Sequence, residues 1–318
     1  MRSLLSAWLA LPLTRTLGLT MVWLGLSAWA VGAPEAAWAQ SHANPGSTPA
    51  VAEAYQPRLG QAGKDVMWLP SRDDLMLRML EAVRITPEDL VVDLGAGDGK
   101  IAIAAAKLYG ARAVGIEYNP SLAALAQRQA EQAGVSDRVQ IIAADLFTQD
   151  FSKATVVTLY LLEELNFRLR PTLLAMKPGT RVVSNTFSMG DWDPDEVISV
   201  QGHTAYRWVV PASVAGRWAL HGVSSNGQAV LSLQQQFQRI GGHLEMDGHT
   251  QTLLGAELTG AQLSFRYLGA DGFLKGVRLQ VQGDSLKGEI LGPYGMVEVP
   301  VPTVKVIGQR IDQRIGQR

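Results

Sequence analysis

The residues of this chain best suited to chemistry are acids placed where apolar runs end. Val91 to Leu94 carries Asp93, and Gly95-Ala96-Gly97-Asp98-Gly99 follows with a glycine at every second position. Glycine there lets a ligand approach the backbone, because no side chain stands in the way. Dinucleotide loops use G-x-G-x-x-G spacing and seat a pyrophosphate over a helix N-terminus. Here the spacing is G-x-G-x-G, and Asp93 stands two residues before the first glycine. A carboxylate at that point repels pyrophosphate but suits a cationic ligand that carries hydroxyls and an ammonium group. A glycine-rich turn without a ligand can show the same short pattern.

Three further runs follow. Ala113 to Ile116 ends in Glu117, ahead of Tyr118-Asn119-Pro120, and Glu117 lies 18 positions beyond Gly99. That placement suits a carboxylate that takes both hydroxyls of a ribose. Val139 to Ala143 leads into Ala144-Asp145-Leu146-Phe147, and Thr155 to Tyr160 leads into Leu161-Leu162-Glu163-Glu164-Leu165-Asn166. These residues need a scaffold, and the pattern between them supplies one. Ile101 to Leu108 is amphipathic, Asn119 and Pro120 open a helix that Gly134 closes, and Glu163 to Met176 reads as another. Ser71-Arg72-Asp73-Asp74 reads as a capping box before a helix that leads into the first strand. Strands alternating with helices predict a parallel sheet with ligands at its C-terminal edge.

The acidic G-x-G-x-G motif, Glu117 and Asp145 resemble those of the class I S-adenosylmethionine-dependent methyltransferases. Gly99-Lys100-Ile101-Ala102-Ile103-Ala104-Ala105-Ala106-Lys107, Ala113 to Glu117 with Asn119-Pro120, and Lys177 to Ser184 resemble the lysine methyltransferases related to the mitochondrial ATP synthase c-subunit enzyme. The likeness covers about Trp68 to Trp192. It implies S-adenosylmethionine as cofactor and a cofactor site of Asp93, Gly95, Ala96, Gly97, Asp98, Gly99, Glu117, Tyr118, Asp145 and Leu146, with Asp145 and an apolar wall holding adenine. It also implies that Val66 to Pro70 can close over the cofactor; an extended lead-in packed on the domain is the alternative. Tyr160, Glu163 and Asn166 sit where the methyl acceptor should arrive and are the candidate catalytic residues; ordinary helix-opening roles are the alternative for them. The fourth run continues as Tyr160-Leu161-Leu162-Glu163 and not as the N-P-P-Y of enzymes acting on amide or nucleobase nitrogens. A protein amino group or another small nucleophile is therefore the expected acceptor.

Composition narrows the partners. Net charge is −1, so no strongly basic surface points to nucleic acid. The absence of cysteine excludes thiolate nucleophiles, disulfides and thiolate metal sites. The five histidines are scattered without ligand spacing, and no metal is expected.

The domain plan has five parts. Residues 1–39, with Arg2 and Arg15 before the apolar Leu17 to Ala33 and with Ala37-Trp38-Ala39, read as a signal peptide or an uncleaved anchor. The folded part is thus expected outside the cytoplasm, periplasmic or membrane-anchored, with membrane contact only through that segment. Residues 40–65 form a linker and 66–195 the methyltransferase domain. From about 205 to 303, short alternating runs are separated by Asn226-Gly227, Asp247-Gly248, Asp271-Gly272 and Gly283-Asp284, the pattern of an antiparallel barrel or sandwich. Gly216-Arg217-Trp218 resembles the G-x-W of lipocalins. Residues 304–318 read as a flexible tail. The expected fold is therefore α/β, a Rossmann-like doubly wound sheet followed by a small all-β domain. Two other functions fit part of the pattern: a non-catalytic envelope binding protein, favoured by export, and a nicotinamide-dependent oxidoreductase, disfavoured by the glycine spacing.

Overall fold

The computed structural model describes residues 55–292 and 304–311, apart from 66, 225 and 226. The expected signal or anchor, most of the linker and Val66 lie outside the described residues. Among the described residues no helix is long and apolar enough to cross a membrane.

The first half alternates as the apolar runs require. Helix α1 (Asp73–Ala82) leads to β1 (Leu90–Leu94), α2 (Lys100–Tyr109), β2 (Arg112–Glu117), α3 (Pro120–Gln132) and β3 (Val139–Ala143). A 3-10 turn (Leu146–Thr148), β4 (Val156–Leu159), α4 (Glu163–Leu174) and β5 (Arg181–Asn185) follow, and then the hairpin β6 (Glu196–Val200) and β7 (His203–Val209). The seven strands lie in the order β3-β2-β1-β4-β5-β7-β6, with β1 to β5 parallel and β7 antiparallel to β5. Strand order reverses between β1 and β4, and a crevice opens at such a switch point beyond the strands' C-terminal ends.

Period-2 alternation sorts the strand residues onto two covered faces. Val91, Ala113, Val156 and Val183 pack with Leu75, Leu80, Ile101 and Ala105 of α1 and α2. Val92, Leu94, Val157, Leu159 and Val182 pack on the other side with Leu169 and Leu173 of α4. Each such fully buried aliphatic side chain contributes about 1.5–3 kcal/mol.

Asn119 caps α3 as its sequence requires: its side-chain oxygen accepts from the Ser121 and Leu122 amides at 3.0 and 3.3 Å, and Pro120 takes the first turn. The capping box does not form. Arg72 is the residue preceding α1 and makes no cap bond; its guanidinium instead draws Asp74 back at 2.8 Å.

The second half is a nine-stranded antiparallel sheet: β8 (Gly216–His221), β9 (Gln228–Gln236), β10 (Arg239–Met246), β11 (His249–Thr252), β12 (Leu254–Thr259), β13 (Gln262–Leu268), β14 (Leu274–Gln282), β15 (Ser285–Leu291) and β16 (Val304–Arg310). Their order is β11-β10-β9-β8-β16-β15-β14-β13-β12. The sheet curls until its ends nearly meet. Leu253 N donates to Gly242 O at 3.0 Å, and the Gln251 amide spans to Leu268 N and O at 2.7 and 2.9 Å. Trp218, Phe265 and Tyr267, each at most 1% exposed, fill the interior. The result is barrel-like, with a packed core in place of a hollow.

Two expectations about this half are corrected. Tyr206–Val210, read as the start of the all-β domain, includes most of β7, which pairs with β5 and belongs to the first sheet. Val182 and Trp208 face each other in that register and share a buried cluster, which holds β7 there. Residues 304–310, read as the beginning of a tail, form β16 between β15 and β8. Their polar residues hid the strand: Arg310 is buried only because its guanidinium reaches the Ser213 and Ala215 carbonyls and Asp284, over the Trp218 ring.

Candidate active site

The glycine loop after β1 hangs on β2. Gly95 N and Ala96 N donate to Ile116 O at 2.9 and 3.0 Å. Gly95, Gly97 and Gly99 all have positive φ, a region that side-chain-bearing residues avoid. Space adds a second reason at Gly97, where a Cβ would lie 2.8 Å from the Trp68 indole nitrogen. Glu117 ends β2 and braces the loop from the other side. One carboxylate oxygen accepts from Gly97 N at 2.9 Å and the other from Asn119 N at 2.8 Å.

A cleft opens here. Asp93, Gly95, Ala96, Gly97, Asp98, Glu117, Tyr118, Asp145, Leu146 and Tyr160 all line it. Among the residues expected at the cofactor, Gly99 stands apart: it precedes α2 in left-handed conformation, facing Ala126 of α3. Of the three candidate catalytic residues, the structure brings only Tyr160 into the cleft. Glu163 is exposed at the start of α4, where it accepts from the Ser188 hydroxyl at 3.0 Å. Asn166 is fully buried. Its amide donates to Ser184 Oγ, Phe187 O and Ser188 O at 3.1, 3.1 and 3.2 Å. It does not line the cleft and works as a brace for the loop after β5.

Two acids of the cleft sit in opposite settings. Asp93 is 2% exposed, and burial pushes its carboxyl up to about 7. Thr158 donates to it, which opposes that shift, while Asp98 and Glu117 reinforce it. Asp145 sits at the end of β3 in the opposite condition: a hydrogen bond from Lys64 holds its carboxyl below the usual range. The same contact raises Lys64.

Several residues of this site escape the sequence pattern. Thr158 is a polar residue inside a buried run, level with Asp93 in the β1–β4 register, and that register was its only signal. Lys64 and Trp68 arrive from the lead-in segment, far away in the chain. Gly60 N donates to Trp68 O and Trp68 N to Gln61 O at 3.0 and 2.9 Å, which draws the two ends of this stretch together. Gln61 to Ser71, apart from Val66, line the cleft. This segment therefore lines the site.

Comparison with known proteins agrees with the geometry. The model of the ANTKMT methyltransferase domain matches residues 93–196. A protein-lysine N-methyltransferase of Saccharolobus islandicus is 42% identical over 151 residues, which are 46% of this chain and 94% of that protein. The ATP synthase c-subunit lysine N-methyltransferase of Mus musculus is 32% identical over 154 residues, 48% of this chain and 58% of its own length. Among solved structures, an RNA methyltransferase from Salinibacter ruber in complex with S-adenosyl-L-homocysteine is 47% identical, covering 46% of this chain and 96% of that one, with a TM-score of 0.45. The chain thus spans nearly all of the archaeal relative and little more than half of the mouse one. Neither the envelope-binding nor the oxidoreductase alternative finds support in these matches. With its acidic glycine loop in place and the archaeal enzyme matched almost end to end, the chain belongs to the S-adenosylmethionine-dependent methyltransferases of the protein-lysine N-methyltransferase family.

Proposed function

We propose that this protein methylates a lysine side chain of a protein, with Asp93, Glu117 and Asp145 holding the cofactor and Tyr160 facing the acceptor. The observation that carries this reading is the convergence of three strand-end acids and a backbone bare of side chains on one cleft, with Tyr160 in its wall. The residues fit S-adenosylmethionine: the Gly97 cradle is one that a Cβ would fill, and the acids suit hydroxyls, an amino group and a positive centre. Bound S-adenosylmethionine supplies a methyl group on a sulfonium.

Glu117, fixed by two backbone amides, is preorganised to receive ribose hydroxyls. Asp145 and Leu146 would hold the adenine of the cofactor, and Asp93, in the wall of the same cleft, would meet a positively charged group of it. Because the leaving sulfur becomes neutral, alignment and exclusion of water supply much of the rate. The acceptor amine must be uncharged when it attacks. Tyr160 orients it within the cleft, and its proton passes to solvent.

The relatives named above as protein-lysine methyltransferases support lysine as the acceptor. The test is to incubate the purified protein with methyl-tritiated S-adenosylmethionine and envelope extract, then map labelled residues by mass spectrometry. Label on lysine that disappears with Tyr160→Ala supports the reading; label on another atom type, or none, overturns it. Export of the folded part is likewise proposed from residues 1–39. Cell fractionation with N-terminal sequencing tests it, the expected mature chain beginning at Gln40 and residing outside the cytoplasm.

A further inference from the structure

Asp145 has two carboxylate oxygens, and both are engaged. Oδ1 accepts from Phe147 N at 3.0 Å, and Oδ2 accepts from the Lys64 ammonium at 2.5 Å. The same ammonium lies 5.2 Å from the centre of the Tyr118 ring, on the neighbouring strand end. Lys64 thus spans two lining residues of the cleft from the lead-in segment. The base of that segment is fastened separately: Lys100 donates to Ser71 O at 3.1 Å and to Asp73 at 2.8 Å.

We propose that Lys64 is a gatekeeping residue of the cofactor site, a built-in competitor that adenine must displace from Asp145. The inference rests on the reading of Asp145 as the partner of adenine in the proposed function. An amino group of adenine donating to Oδ2 meets the ammonium already seated there, so the two compete for that oxygen. The pair is partly open to water, with side chains 37% and 25% exposed. Such a pair is weak and screened by salt, which makes it a latch that opens readily and not a permanent bond. Its fastening at Ser71 leaves the segment tethered when Lys64 lets go, so the same segment re-covers the site after the ligand arrives.

The distinguishing experiment is stopped-flow tryptophan fluorescence with S-adenosylhomocysteine, which lacks the sulfonium charge and so avoids long-range steering. Trp68 beside Gly97 supplies a local reporter. In Lys64→Met the association rate constant is expected to rise about two- to five-fold, with the dissociation rate unchanged, so that affinity tightens by the same factor. Added salt should accelerate association in the wild-type protein and leave Lys64→Met unaffected, while Lys64→Arg should behave like the wild type. Equal association rates and equal salt dependence in wild type and Lys64→Met overturn the gate alone. Failure of the wild-type protein to bind S-adenosylhomocysteine at all overturns the cofactor site itself.

Discussion

Thr158 donates its hydroxyl to Asp93 at 2.6 Å across the β1–β4 switch point, and both side chains are buried. Burial outweighs that bond, so the folded protein holds a proton on Asp93, up to about pH 7, that the unfolded chain releases near 3.8. By linkage, stability from this group is full below about pH 4 and is lost as pH rises to about 7. Asp93→Asn keeps an oxygen for Thr158 and removes the titration. Its unfolding free energy should exceed that of the wild type by on the order of 4 kcal/mol at pH 8 and match it near pH 4, in urea titrations.

The same proton links to the ligand. A positively charged cofactor favours the ionised Asp93, so binding should release a proton near neutrality. Affinity for S-adenosylmethionine should rise about tenfold per pH unit below 7 and level off above it. Calorimetry in buffers of different ionisation enthalpy measures the release; a flat profile from pH 5.5 to 7 would contradict the placement of Asp93.

Gly97→Ala puts a methyl group against the Trp68 indole at a φ of +58°. Affinity for S-adenosylhomocysteine should fall at least about tenfold, with about 1 kcal/mol of stability lost to backbone strain. Pairing it with Trp68→Ala relieves the steric clash but not the strain, so affinity should return only in part.

Tyr160 and Asn166 should separate cleanly. Asn166→Ala removes three donated hydrogen bonds in a buried site and should cost about 2–4 kcal/mol. Hydrogen exchange should quicken at residues 187–189 while cofactor affinity holds. Tyr160→Phe should leave stability within about 0.5 kcal/mol and lower methyl transfer.

Arg310→Ala leaves the buried carbonyls of Ser213 and Ala215 without that donor and uncovers the Trp218 ring. The barrel-like sheet should lose about 2–4 kcal/mol, read as a lower first transition in calorimetry, with S-adenosylhomocysteine binding retained.

Much of the first sheet could be read directly. Its buried parallel strands are continuous apolar runs, and the acids that end them mark the edge where a ligand meets the sheet. Asn119-Pro120 marked a helix start because capping is local chemistry. What escaped was long-range. Nothing near Lys64 signals Asp145, 81 residues away. Asn166 resembled a rim residue, and only packing showed its amide turned onto the loop after β5. β7 looked like the strands that follow it, since alternation does not say which sheet a strand joins. Val304–Arg310 ends in Arg310, whose side chain is buried by partners from the loop before β8, from Asp284 and from the Trp218 ring of β8.

The position of β16 has a consequence for biosynthesis. The seven-stranded sheet has all its strands once Val209 has left the ribosome, whereas β8 must wait for β16, about a hundred residues later, before its second edge is paired. During that interval β8 exposes an open edge, which invites pairing with other chains. The catalytic half can therefore mature first, and the slow, aggregation-exposed step of synthesis belongs to the barrel.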